Sequence, residues 1–254
     1  MKAIILSAGQ GTRLLPLTAD RPKCLVRVGD RTILEHQVDA LRAAGVEEIV
    51  VVGGYHLRRL RDFMADRWGD AAPRLVFNPF YGVSSSISSV WAAREALEGP
   101  FCLMNGDTIF DADLVARALA SAGHGVGLVV EHVESPQLDD MRVRLAGDRV
   151  LQVSKDLSPL MAWHRSLGLI VAGERSPEYL QALEEVVSEP GGTNAYHHDI
   201  IDRLARRGVV SALVAEGRWG EIDNSDDIAR WLAMHGGMDS DSNGDEAGPI
   251  SLQG

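Results

Sequence analysis

Cysteine is scarce in this chain: Cys24 and Cys102 are the only two in 254 residues, and no CxxC pair occurs. That excludes a disulfide framework and a zinc knuckle, and it fits a reducing compartment. Long apolar runs are missing as well. None approaches the roughly 18 residues of a membrane span, and the start MKAIILSAGQGT lacks the length and cleavage site of a secretory leader. A soluble cytoplasmic protein with no membrane partner is expected. Bases are outnumbered, 25 against 36 acids, and a formal charge of −11 would repel a nucleic acid backbone. Nucleic acid is thereby excluded as the main partner. Lysine is scarcer still: 22 of the 25 bases are arginine, which leaves only Lys2, Lys23 and Lys155. A compact ammonium kept at so few positions marks Lys23 and Lys155 as candidates for chemistry.

What is present is enough apolar sequence, 45 % of the residues, to fill a sizeable core. Lys2 to Leu6 forms a short apolar run that ends in Ser7-Ala8-Gly9-Gln10-Gly11, a buried strand entering a glycine loop. Thr32 and Glu35 have capping-box spacing, which predicts a helix from Thr32 to Gly45. Strands at 48–52, 75–77 and 101–104 then alternate with helices at about 57–68 and 88–97. Such alternation implies an α/β fold with a mostly parallel sheet covered on both faces. After about residue 125 strand-like segments follow at 126–131, 141–145, 149–153 and 166–171, two of them around the hairpin turn Ala146-Gly147-Asp148. Helices at about 177–187, 197–207 and 225–234 and a strand at 209–215 complete one domain over 1–235, with antiparallel strands added over the sheet's carboxyl edge. Residues 236–254 are polar, glycine-rich and acidic, so a disordered tail is expected there.

The strongest chemical signal is Gly9-Gln10-Gly11-Thr12-Arg13 followed by Pro22-Lys23. Glycines let backbone N–H groups approach phosphate oxygens, and Arg13 and Lys23 supply charge. A dinucleotide fingerprint is excluded, because Leu14 stands where the third glycine belongs, and no GK[ST] of a Walker loop is present. Asn105-Gly106-Asp107 follows a strand, where an aspartate points into the ligand crevice of a doubly wound fold and can offer hard oxygen to Mg²⁺. Asp223, in Trp219-Gly220-Glu221-Ile222-Asp223, is spaced to cap the helix that follows.

These motifs resemble the nucleotidyltransferases that join sugar phosphates and related phospho-alcohols to NTPs, whose LxxGxGxR and PK signature stands here as Leu6 to Arg13 and Pro22-Lys23. The resemblance covers about residues 1 to 235, strongly at the amino end and in short islands later. It implies a Rossmann-like fold of the nucleotide-diphospho-sugar transferase type, with Mg²⁺ as cofactor held by Asp107 and Asp223. It also implies a nucleotide site of Leu6, Ala8, Gly9, Gly11, Thr12 and Gly106, with Ser85 and Ser89 of the polar stretch 84–89. That stretch, Asn78-Pro79-Phe80-Tyr81 before it, and Met141-Arg142-Val143 with Lys155 are similar to the branch of choline-phosphate, aminoethylphosphonate and inositol-phosphate cytidylyltransferases. CTP is therefore the favoured NTP. Lys155 would contact the acceptor's phosphate or phosphonate, and Gly168 would let the acceptor lie against the backbone.

The acceptor itself stays open. Choline-phosphate enzymes place aromatics near the element that here reads Tyr196-His197-His198-Asp199, and two histidines there argue against a quaternary ammonium cage. His197 and His198 could instead hydrogen-bond a hydroxylated or anionic acceptor, with Tyr196, His198 and Asp199 as the substrate-binding candidates and Trp163-His164 and Trp219 lining the same pocket. In the implied reaction the acceptor's phosphate attacks the α-phosphorus and expels pyrophosphate, with Lys23 and Arg13 as catalytic residues. A sugar-1-phosphate guanylyl-, thymidylyl- or uridylyltransferase is the alternative enzyme, and a catalytically silent nucleotide sensor the alternative of another class.

Overall fold

A computed structural model describes residues 1–121, 123 and 125–235, so the expected acidic tail lies outside the described residues. The first half runs β1 (Lys2–Ser7), β2 (Arg27–Val28), β3 (Arg31–Thr32), α1 (Ile33–Ala43), β4 (Glu48–Gly53), α2 (Leu57–Trp68), β5 (Arg74–Phe77), α3 (Ile87–Ala92), β6 (Phe101–Asn105), β7 (Thr108–Phe110) and α4 (Ala112–Ala120). The second half runs β8 (Val126–His132), β9 (Arg142–Ala146), β10 (Arg149–Ser154), β11 (His164–Ala172), α5 (Ser176–Ser188), α6 (His197–Arg206), β12 (Val210–Val214), β13 (Trp219–Glu221) and α7 (Ser225–His235).

Nine strands form one sheet in the order β5-β4-β1-β6-β11-β8-β12-β10-β9. β5, β4, β1 and β6 are mutually parallel, whereas β11 runs antiparallel to both β6 and β8. Period-two alternation along β1 explains how the sheet is covered on both faces. Ile4 packs with Ile87, Val90, Tyr179, Leu183 and Ile200, beneath α3, α5 and α6. Ala3 and Ile5 pack on the opposite face with Leu34, Val38, Leu60, Met64 and Leu114, beneath α1, α2 and α4. Because β11 enters from beyond the carboxyl end of β6, with Leu169 opposite Met104, its first residues project past that edge. There His164 and Arg165 also pair with Val143 and Arg142 of β9, so the β9–β10 hairpin curls over the carboxyl edge as expected.

The expected capping box opens α1: Thr32 Oγ1 accepts the Glu35 N–H at 3.2 Å, and Glu35 Oε2 accepts the Thr32 N–H at 2.7 Å. The helix expected over 88–97 is shorter than the spacing predicts, since α3 stops at Ala92 and a 3-10 turn carries the chain through Arg94–Leu97. α4 has no counterpart in the sequence reading, although Asp111 caps it by accepting the Leu114 N–H at 2.8 Å. A third cluster, Leu14, Val26, Val28, Ile33, Ile109, Ile222 and Trp231, packs the segment after the glycine loop against the β7–β13 ribbon and α7. That packing brings the segment after the glycine loop and the segment that enters α7 together at the sheet's carboxyl edge.

Candidate active site

A cleft of about 1090 Å³ opens over the carboxyl ends of β1 and β6, the position where open α/β sheets bind ligands. β1 ends in the glycine loop. Gly11 takes φ +65° there, and a Cβ on it would stand 2.8 Å from Lys23 Cβ, so glycine lets the Pro22-Lys23 segment pass directly behind the loop. β6 ends at Asn105, and the Gly106 N–H donates to the Leu6 carbonyl at 3.0 Å, which ties the next residue, Asp107, to the end of β1.

Lys23 is the centre of charge. Its Nζ lies 2.8 Å from Asp107 Oδ2 and 2.5 Å from Asp223 Oδ1, and its side chain is only 14 % exposed. Burial pulls the ammonium's pKa down, but Asp107 and Asp223 outweigh it and hold it above its ordinary value. Arg13 Nη2 reaches Asp223 from the solvent side at 2.9 Å, and Nη1 stands 3.6 Å from Asp139. Asp223 does not cap α7. Asn224 Oδ1 accepts the Asp226 and Asp227 N–H groups instead, and Asp227 Oδ2 accepts the Asp223 N–H at 2.8 Å.

Glu221 completes the acidic group, a residue the sequence reading left out. Oxygens of Asp107, Glu221 and Asp223 lie within 4.8 Å of one another. Desolvation in the cleft, followed by Asp107 and Asp223, raises the Glu221 carboxyl to about 7, with Lys23 and Arg165 opposing. Its signal was available, because Glu221 and Asp223 are two residues apart and an extended segment puts such a pair on one face. Hard oxygens gathered this closely suit Mg²⁺.

Ser84 to Ser89 border the cleft beside Ala8, and their hydrogen bonds divide them. Buried Asn78 donates to Ser88 Oγ at 2.9 Å and Ser89 Oγ at 3.0 Å, Ser84 bonds Ser88 and the Phe80 carbonyl, and Ser86 is taken up by His197. Among the described residues Ser85 makes no side-chain hydrogen bond, and the Ser89 hydroxyl proton is not given to a protein acceptor. Both face the cleft.

On the opposite wall Lys155 Nζ rests over the Tyr196 ring, 5.0 Å from its centroid, with no carboxylate partner among the described residues. The buried Arg142 guanidinium donates to the Lys155 carbonyl, while its Nε and Nη1 have no partner among the described residues. Arg165 bonds Glu131 and Asp140, each at 3.0 Å, and stacks over Trp219 at 5.1 Å.

Leu6, Ala8, Gly9, Arg13, Ser85, Ser89, Gly106, Asp107, Lys155, Tyr196, His198 and Asp223 thus line one cleft. Gly11, Thr12 and Lys23 are not among the lining residues; Thr12 is the first residue of a 3-10 turn, and Lys23 passes behind Gly11. Two expected residues are placed elsewhere. Gly168 has φ +73°, and a Cβ on it would come within 2.2 Å of the Asn105 amide, so its missing side chain makes room for Asn105, and it is not among the cleft-lining residues. Asp199 caps α6 by accepting the Tyr196 N–H at 2.6 Å and borders a separate cavity with Asp202 and Arg206. Trp163, 48 % exposed, and His164 are not part of the cleft lining, whereas Trp219 is.

A mixed sheet of this order with a glycine loop and paired acids at its carboxyl edge defines a nucleotide-binding transferase fold. The chain belongs to the MobA-like NTP transferase domain family, whose model matches residues 3–168. It is 36 % identical over 110 residues to a choline-phosphate cytidylyltransferase of Streptococcus pneumoniae, covering 43 % of this chain and 46 % of that one. It is 29 % identical over 237 residues to a CMP-5'-(3-aminopropyl)phosphonate synthase of Streptomyces rubellomurinus, covering 89 % of this chain and 37 % of that one. Each match therefore spans less than half of the relative's length. The solved CTP:phosphocholine cytidylyltransferase of Streptococcus pneumoniae shares the fold, with a TM-score of 0.73 and 22 % identity over 92 % of this chain and 98 % of that one.

Proposed function

We propose that residues 1–235 form a magnesium-dependent nucleotidyltransferase that joins an NTP, with CTP favoured, to a phosphorylated alcohol, cyclitol or phosphonate. The observation that carries this reading is Lys23 Nζ held between Asp107 and Asp223 directly behind the glycine loop, with Arg13 on the outer oxygen of Asp223. Likeness to a choline-phosphate and a phosphonate cytidylyltransferase supports the choice of CTP and of acceptor class.

An acceptor phosphate is largely ionised at neutral pH, since its second pKa is about 6. It therefore needs no general base, only placement and charge. One acceptor oxygen forms a bond to the α-phosphorus while the bond from that phosphorus to the departing pyrophosphate breaks. Lys23 would bind the α-phosphate, Arg13 the pyrophosphate, and Lys155 the acceptor's own phosphate. Ala8, Gly9, Ser85 and Ser89 would hold base and ribose. Asp107, Glu221 and Asp223 would hold Mg²⁺, which when bound offsets charge on the phosphate oxygens.

The test is pyrophosphate release with magnesium, crossing CTP, UTP, GTP, ATP and dTTP against phosphocholine, aminoethylphosphonate, inositol and glycerol phosphates, and hexose-1-phosphates. Release with CTP and a phospho-alcohol or phosphonate is expected. Release only with another NTP and a hexose-1-phosphate would replace this reading by a sugar-1-phosphate nucleotidyltransferase, and NTP binding without release anywhere would favour a silent sensor.

A further inference from the structure

α6 opens with two histidines that the chemistry above does not use. His197 and His198 are 4 % and 5 % exposed, and their ring centroids are 4.1 Å apart. Burial keeps both neutral: it brings His197 down to about 4 against the pull of Asp107, and it holds His198 well below its ordinary value with help from His197 and Lys155.

Each ring is anchored to a different wall of the cleft. The His197 backbone N–H donates to Ser86 Oγ at 3.0 Å, and His197 Nδ1 lies at the same 3.0 Å from that oxygen. Ser86 Oγ thus meets both the backbone and the ring of His197, whose Nε2 has no partner among the described residues. His198 Nε2 lies 2.9 Å from Ser166 Oγ, which accepts the Gly168 N–H at 3.1 Å.

The backbone repeats the pattern. Ser85 and Ile87 donate to the Thr193 and Ala195 carbonyls at 3.2 and 3.4 Å, fastening the serine turn to the segment that enters α6. Val153, two residues before Lys155, donates to Asp202 Oδ1 of α6 at 2.9 Å. One helix start thus holds the serine turn on one side and β10 and β11 on the other.

We propose that His197 and His198 are positioning residues that fix the nucleotide wall against the acceptor wall, so that losing a hydrogen bond at Ser166 is felt at Ser86. The names of the two walls rest on the nucleotidyltransferase reading. The linkage itself does not.

Two measurements on the full chain test it. In calorimetric titration with Mg²⁺ and CTP, Ser166→Ala and His198→Phe should weaken CTP binding about three- to tenfold, the loss of one hydrogen bond, although neither residue belongs to the serine turn. His198→Gln, whose amide oxygen can accept from Ser166, should restore most of the affinity. In imidazole ¹⁵N NMR, wild type should show two neutral rings, and Ser166→Ala should shift the ring nitrogens of both histidines. Unchanged CTP affinity in Ser166→Ala and His198→Phe, or a shift confined to His198, would overturn the proposal. Should wild type bind none of the five NTPs, the functional reading fails, and the NMR result alone decides the linkage. Ser86→Ala, expected to shift His198 in turn, serves if a His198 variant does not fold.

Discussion

At the scale of single residues, charge placement carries the site. Lys23 faces two carboxylates at hydrogen-bonding distance, so replacing it removes a contact to the reacting phosphate and leaves Asp107 and Asp223 to repel each other. Lys23→Ala should lose about 3 to 4 kcal/mol of transition-state stabilisation, read as a fall of several hundredfold in the rate of pyrophosphate release. Glu221 sets the pH behaviour of the acidic group. Its carboxyl is raised to about 7, so the folded protein holds a proton there that the unfolded chain releases near pH 4.5. In that window stability falls as pH rises, until a divalent cation offsets the charge. Magnesium should therefore raise the melting temperature more at pH 8 than at pH 5.5, and Glu221→Gln should shrink that difference. Equal gains at both pH values would contradict the role given to Glu221.

Elements hold these residues through a few close approaches. Gly168 sits mid-strand in β11 at φ +73° with Asn105 filling the space a Cβ would need. Gly168→Ala should cost about 1 to 2 kcal/mol from left-handed backbone strain, with the contact at Asn105 added to it, measured as a lower urea midpoint. The same glycine marks where sequence reading succeeds and where it stops. Apolar runs such as 101–104 and the Thr32 and Glu35 pair declare strands and a helix start locally, and both appear where periodicity and capping place them. The glycine loop, Lys23, Asp107 and Asp223 are legible because their chemistry is local to short motifs. β7 and β13 are not, since three residues carry no periodicity and their pairing spans a hundred positions. Gly168 and Asp199 are ambiguous for a related reason: a glycine or a carboxylate looks the same in sequence whether it meets a ligand, a neighbouring amide or a helix start.

For the whole molecule, the site is a contact between distant segments. Lys23 and Asp223 are 200 positions apart, and the cluster of Leu14, Ile109, Ile222 and Trp231 that joins their segments is part of the buried interior. Activity and global structure should therefore disappear together. In urea, the midpoint of pyrophosphate release should coincide with that of tryptophan fluorescence, and activity lost well before fluorescence would mean that the segments separate on their own. Synthesis from the amino end lays down the glycine loop and Asp107 more than 100 residues before Glu221 and Asp223. A product released between Asp107 and Glu221 would carry the phosphate loop but lack two of the three carboxylates, a nucleotide loop with an incomplete acid group.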